Sequence, residues 1–205
     1  MLSGSKFLAR RGRRGISLPA SLLILPLVVS LSGLMTPRAS GQVNGTSGYE
    51  VKTAFLFNFA KFIDWPASGF ATPQSPFTIC ILGQDPFGNM LDDTLNGKII
   101  GDRPLAVRRL KDKAEAQHCQ IVFISSSESV HIAEIFVSLH KSNVLLVGET
   151  NGFAVSGGTI EFTIEENHVR FTINIDAADR SGLKFSSKLL AVAKIVHDEG
   201  HSKGG

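Results

Sequence analysis

Several stretches of this 205-residue chain hold residues whose types and spacing could do chemistry. In "HDEGH", His197 and His201 stand four apart, as zinc ligands on one helical face do. That chemistry places a Glu directly after the first His as general base. Here the position is Asp198, and Gly200 weakens the helix that would hold the geometry. "GQDPFG", residues 83–88, follows an apolar run where a phosphate loop would sit. It lacks both the GxGxxG spacing and a GK[ST] ending, and Asp85 would repel a phosphate. "SSSES", residues 125–129, contains no GxSxG elbow, so a serine nucleophile is unsupported. "VGETNGFAVSGG", Val147 to Gly158, has four glycines that would let a ligand approach the backbone, although such runs more often make turns. Asp92–Asp93 and Glu165–Glu166 are sequence neighbours whose side chains point apart in a helix or turn. No nucleophile, base and orienting group come together. The pattern favours a binding module over an enzyme, with no cofactor and no metal site.

The elements that would position these residues start only after a targeting segment. Lys6, Arg10, Arg11, Arg13 and Arg14 precede an apolar run from Ile16 to Leu34, which exits through small residues at Ala39 and Gly41. This is the layout of a secretory signal peptide, cleaved after Gly41. The competing reading is an uncleaved anchor, since the run nearly reaches bilayer length. Residues 1–41 hold six of the 21 Lys and Arg and none of the 18 Asp and Glu. Residues 42–205 therefore carry 15 basic against 18 acidic residues, a net charge of −3. The basic balance of the whole chain belongs to the leader, so no patch argues for nucleic acid.

Two cysteines remain in the exported part, Cys80 and Cys119. Export with an even count suggests one disulfide; the competing reading is two buried thiols. Neither has a CxxC neighbour, which leaves redox catalysis and zinc without support.

The elements then read as follows. A helix begins at a capping box, Ser47 and Glu50, and ends before Pro66. "FTICILG", a segment around Leu105–Leu110, "QIVFIS" and "NVLLVGE" are strands. Helices lie between them: one entered through Asp85 as N-cap and Pro86, and one through a capping box at Ser125 and Glu128. Apolar strands without alternation, spaced by helices, predict a mixed, largely parallel sheet flanked by helices on both faces. "TIEFTIEENHVRFTINI" alternates strictly. It predicts an antiparallel hairpin turning at Glu166–Asn167, with Ile160, Phe162 and Ile164 on one face and Thr159, Glu161 and Thr163 on a wet one. "DAADRSG" reads as a loop, "SSKLLAVAKIVH" as a terminal helix, and residues 199–205 as a disordered tail. The fold class is α/β, with one domain over residues 42–198.

The first helix segment, Gly48 to Pro66, holds four of the 14 phenylalanines and the only tryptophan and tyrosine. With Phe55 at zero and about 100° per residue, Val51, Leu56, Phe59, Phe62 and Ile63 fall in one stripe. Phe57 falls at about 200°, among Thr53, Lys61 and Asp64. An aromatic there is either covered by another layer or exposed for a partner, so Phe57 and Lys61 are the expected interaction surface.

At this point the residues resemble a known family. "VKTAFLFNFAKFIDWP", the cysteine pair at this separation, and "GFAVSGGTIEFTIEENHVRFTINIDAADRSGLKFSSKLLAVAKIV" behind a signal peptide are similar to the YfiR-like periplasmic proteins. The similarity runs from about Tyr49 to Val196. It implies a non-enzymatic periplasmic regulator with an α/β fold. Such a protein binds the periplasmic sensor domain of an inner-membrane diguanylate cyclase and represses it, limiting cyclic di-GMP and biofilm formation. It further implies a homodimer, a cyclase or sensor-kinase partner, and a disulfide at Cys80 and Cys119. Some members hold a second cysteine pair near "GFAVSGG"; this chain has Ala154 after Phe153, so a switch relying on that pair is not expected. A runner-up reading is a periplasmic small-molecule sensor whose cleft is lined by Gly157, Gly158, Asn174 and Arg180, with Arg180 pairing a carboxylate or phosphate.

Overall fold

The computed structural model describes residues 45–198, with side chains from residue 48 onward. The expected signal peptide, residues 1–41, and the expected tail, residues 199–205, lie outside the described residues.

The first helix, α1, runs Gly45–Phe62 and passes directly into a two-residue strand, β1 (Ile63–Asp64). Ser47 lies inside the helix, so it is not the cap that the Ser47–Glu50 spacing suggested. Trp65 closes the far end by donating its indole N–H to the carbonyl of Ala60.

The central units follow the predicted order: β2 (Phe77–Leu82), α2 (Asn89–Leu95), β3 (Ile99–Ile100), β4 (Arg103–Leu110), β5 (Ile121–Ile124), α3 (Ile132–Ser138) and β6 (Leu145–Gly148). The hairpin is β7 (Ile160–Glu165) and β8 (His168–Asn174). Glu166 and Asn167 both have positive φ, as a two-residue hairpin turn requires. The chain ends through α4 (Ile175–Arg180), β9 (Lys184–Phe185), α5 (Ser187–Leu190) and β10 (Lys194–Val196).

Eight strands make one sheet in the order β10-β8-β7-β6-β5-β2-β4-β3, and β1 pairs separately with β9. The sheet is parallel except at β7–β8 and β3–β4. Strands covered on both faces need apolar side chains on both, which explains the unbroken runs in β2, β5 and β6. Ile79, Ile81, Ile121, Phe123, Leu145 and Val147 face α1 and α2. Cys80, Leu82, Val122, Ile124 and Leu146 face α3 on the other side. Cys80 and Cys119 are joined by a disulfide there, with Cα atoms 6.1 Å apart.

Three parts differ from the sequence reading. "DAADRSG" opens as a helix, because the Asn174 side chain accepts the N–H of Ala177 and caps it. The expected terminal helix stops after four residues. Its β-branched end, Ile195 and Val196, instead pairs in parallel with Ile173 and Asn174 on the open edge of β8. The entry to α2 is also later than expected. Asp85 turns the backbone by accepting from the N–H of Phe87, and the helix begins only at Asn89.

Candidate functional site

Helix α1 is the natural place to look for a surface, and its buried face is not centred where the aromatic stripe placed it. Lys52, Thr53, Leu56, Phe59, Ala60 and Ile63 are buried. Val51 and Phe62, assigned to the stripe, are 41% and 37% exposed. Phe55 lies between, its ring packed on Phe59, Phe162 and Phe171. The helix is thus rotated so that a lysine and a threonine enter the core and an apolar flank reaches solvent. Phe57 occupies the opposite flank. It is half-buried against the core, with Lys98 Nζ 5.0 Å and Lys61 Nζ 5.5 Å from its ring centroid. Two ammonium groups near one ring make a cationic aromatic patch. Lys61 is solvent-exposed.

The buried Lys52 has a partner from a distant part of the chain. Its Nζ lies 2.5 Å from Glu149 Oε2, at the carboxyl end of β6, and 4.3 Å from the centroid of the Tyr49 ring. The Tyr49 hydroxyl donates to the same carboxylate at 3.0 and 3.2 Å. Burial, and then the negative charge of Glu149, push the Tyr49 phenol up to about 12. The signal for this cluster was present in the sequence. Lys52 falls at about 60° on the helical wheel, between Phe59 and Ile63, and a charge inside an apolar arc requires a partner.

Open α/β sheets bind ligands beyond the carboxyl ends of their strands, where the strand order reverses. Here that point lies between β2 and β5, and the chain's own side chains fill it. Gly83, at φ +88°, leaves room for Ser127 and Glu128; a Cβ would meet Ser127 Oγ at 2.5 Å. Ser127 Oγ accepts the N–H of Gln84 at 2.9 Å. Nearby, Arg109 donates to Asp85 at 2.9 Å, to Asp92 and to the carbonyl of Gly88, so it ties the α2 entry to β4. Its hydrogen bond holds the Asp92 carboxyl below the ordinary range, a structural rather than a reactive role. Asp92 is therefore ion-paired, not merely solvated.

The glycine-rich loop is built around Phe153. A Cβ on Gly158 would lie 2.1 Å from its ring, and one on Gly148 2.5 Å. These glycines admit an aromatic of the chain itself. Glu161, expected on the wet face, is buried: its two oxygens accept the N–H groups of Gly152 and Ala154 at 3.1 and 3.0 Å. Ile164, expected on the apolar face, is 56% exposed towards the hairpin tip. The loop covers the base of the hairpin and leaves its tip bare, which displaces both expectations.

Of the four residues assigned to a ligand cleft, three come together and one does not. Gly157 and Arg180 line one cavity, together with Asp198. Asn174 is fully buried beside it and donates to Asp198. Gly158 belongs instead to the packing of Phe153. His197 Nδ1 lies 2.9 Å from Asp176 Oδ1; its expected companion His201 lies outside the described residues.

A family model described as YfiR/HmsC-like matches residues 49–194. The chain belongs to that family. The match covers α1 through the first residue of β10, and so takes in every element described above except the beginning of α1 and the last residues. Membership supports a periplasmic regulatory protein. Among the described residues, no helix is long and apolar enough to cross a membrane. Two solved structures are similar over part of the fold. A conserved domain protein from Vibrio cholerae has 12% identity and a TM-score of 0.42, covering 58% of this chain and 54% of its own. The ABC domain in complex with L-Trp from Streptococcus pneumonia has 9% identity and a TM-score of 0.43, covering 58% and 55%. The chain spans about half the length of the solved structures it matches.

Proposed function

We propose that this protein represses an inner-membrane diguanylate cyclase by binding the cyclase's periplasmic sensor domain, and so limits cyclic di-GMP and biofilm formation. It acts as a dimer, without catalysis of its own, after cleavage of its leader. The observation that carries this reading is the YfiR/HmsC-like match across nearly all the described residues. The filled crevice between β2 and β5 agrees with a protein that works by contact rather than chemistry. The contact surface is the cationic aromatic flank of α1, Phe57 with Lys61 and Lys98.

The test uses the tagged protein as bait in detergent-solubilised inner membrane. Recovery of a protein with a cyclase output domain is expected. Deletion of the gene should raise cellular cyclic di-GMP and overexpression should lower it; no change in either strain overturns the reading. Lys61→Glu reverses a charge on an exposed side chain and spares the core, so it tests the surface separately. Retention of the cyclase by that variant would move the contact elsewhere on the molecule.

A further inference from the structure

On the sheet face opposite α1, the end of α3, the glycine loop and α4 surround a cavity of about 780 Å³. Much of its wall is apolar, with Phe136, Leu139, Leu146 and Val155 contributing. Its charged side chains are Lys141, Arg180 and Asp198, and His140 adds a titratable ring. An open, partly apolar groove with a few convergent polar groups can seat a small molecule.

The polar groups are already arranged around a carboxylate, which belongs to the chain itself. Arg180 Nη1 donates to Asp198 Oδ2, and Nη2 donates to Oδ1 at 3.3 Å. Asn174 Nδ2 donates to the same Oδ1 at 2.7 Å. Asn174 is fixed on every side: it is fully buried, also donates to the carbonyl of Ala154 at 2.6 Å, and caps α4 with its oxygen. The two donors thus sit on rigid parts of the fold, the end of β8 and the last turn of α4. The acceptor arrives on the segment after β10, a three-residue edge strand. That segment has a second anchor, since the Asp198 N–H donates to Asp176 at 3.1 Å. Burial alone would raise the Asp198 pKa, but the hydrogen bonds from Arg180 and Asn174 outweigh it and hold the group ionised.

We propose that this cavity binds a small carboxylic acid with an apolar body, and that Asp198 is its built-in competitor, holding the Arg180–Asn174 seat until a ligand carboxylate replaces it. A guanidinium fork matches a planar carboxylate with two parallel donors. A phosphate would bring further charged oxygen against the apolar side of the groove, at a desolvation cost. Exchange of the internal carboxylate for the ligand's loosens the segment following β10. The site lies on the other sheet face from the α1 flank, and its test requires no partner.

Phenylacetate is the probe, with benzyl alcohol as the control that lacks the carboxylate and inorganic phosphate as the competing anion class. Each is titrated into the wild-type protein, Asp198→Ala and Arg180→Gln by calorimetry. A competitor that fills a seat nine-tenths of the time weakens apparent affinity about tenfold. Asp198→Ala should therefore bind phenylacetate about tenfold more tightly than wild type. Arg180→Gln and benzyl alcohol should give no binding. Equal affinity in wild type and Asp198→Ala, absence of binding in both, or binding that survives Arg180→Gln overturns the proposal. Preference for phosphate over phenylacetate overturns the carboxylate class. Should Asp198→Ala fail to fold, hydrogen exchange on the wild type decides. Saturating phenylacetate should speed exchange at the Asp198 amide, and unchanged protection overturns the competitor.

Discussion

Lys52 and Glu149 form a nearly buried ion pair, their side chains 9% and 13% exposed, between the first turns of α1 and the carboxyl end of β6. The pair fixes how α1 lies on the sheet. Removing one member strands the other charge in a poorly solvated place, which costs about 3 kcal/mol or more. Lys52→Met should therefore lower stability by about 3 kcal/mol, and Glu149→Gln by a similar amount. The double variant should recover most of that loss, because both charges leave together. Chemical denaturation of the four proteins gives the coupling energy directly; additive losses would show that the pair contributes nothing.

Tyr49 is the only tyrosine of the chain, so its ionisation can be followed by near-ultraviolet absorbance without interference from another phenol. Its ordinary pKa of 10.0 is raised to about 12 by burial and by Glu149. The folded state thus holds the phenolic proton more tightly than the unfolded state. The associated stability is complete below pH 10 and is lost as pH rises from there towards 12. A direct titration of the folded protein should place the midpoint near 12, and Glu149→Gln should bring it part of the way back. A midpoint near 10.0 in the wild type would contradict the cluster.

Much of the fold was legible because burial on two faces leaves a plain trace. The runs "FTICIL", "IVFI" and "LLVG" could only be interior strands, and the alternation around Glu166–Asn167 could only be a hairpin. The rest depended on contacts between residues far apart in sequence. The helical wheel places Lys52 inside the apolar arc but does not say that Glu149, 97 residues away, is its partner, and Glu161 reads as a wet-face residue until the loop amides reach it. Periodicity assumes that charge points outward, and both residues violate that assumption with a specific partner. In the sequence Arg180 stands out by its chemistry, whereas Asp198 reads only as a failed metalloprotease position. Their pairing depends on β10 taking the open edge of β8, which the helical reading of "AVAKIVH" concealed.

The Cys80–Cys119 bond closes a loop with a sequence separation of 39. In the chain-entropy model a loop of that length adds about 4 kcal/mol by restricting the unfolded chain. The paired variant Cys80→Ser with Cys119→Ser should lose roughly that amount. Thiol titration of the unfolded, unreduced wild-type protein should detect no reactive sulfur. Two reactive thiols would show that the bond does not form. Ala154 occupies the position where some family members hold a further cysteine, so reductant should affect stability through the single bond.

Gly158 and Phe153 give the sharpest test of the loop. A Cβ at Gly158 would stand 2.1 Å from Phe153 Cε1, well inside contact distance, and Phe153 is itself fully buried and packed on Phe136. The ring has little freedom to retreat, so Gly158→Ala should cost about 2–3 kcal/mol through overpacking. Gly152→Ala is the informative contrast. There a Cβ would stand 3.9 Å from Val155 Cγ2, and the penalty comes from φ +78° rather than from a clash. Its cost should be nearer about 1 kcal/mol. Trimming the ring separates the two causes. Phe153→Leu alone leaves space in the core and destabilises, but in its presence the added cost of Gly158→Ala should shrink, while that of Gly152→Ala should stay the same. Thermal unfolding of the single and double variants measures both couplings, and an undiminished Gly158→Ala penalty in the Phe153→Leu background would refute the close approach.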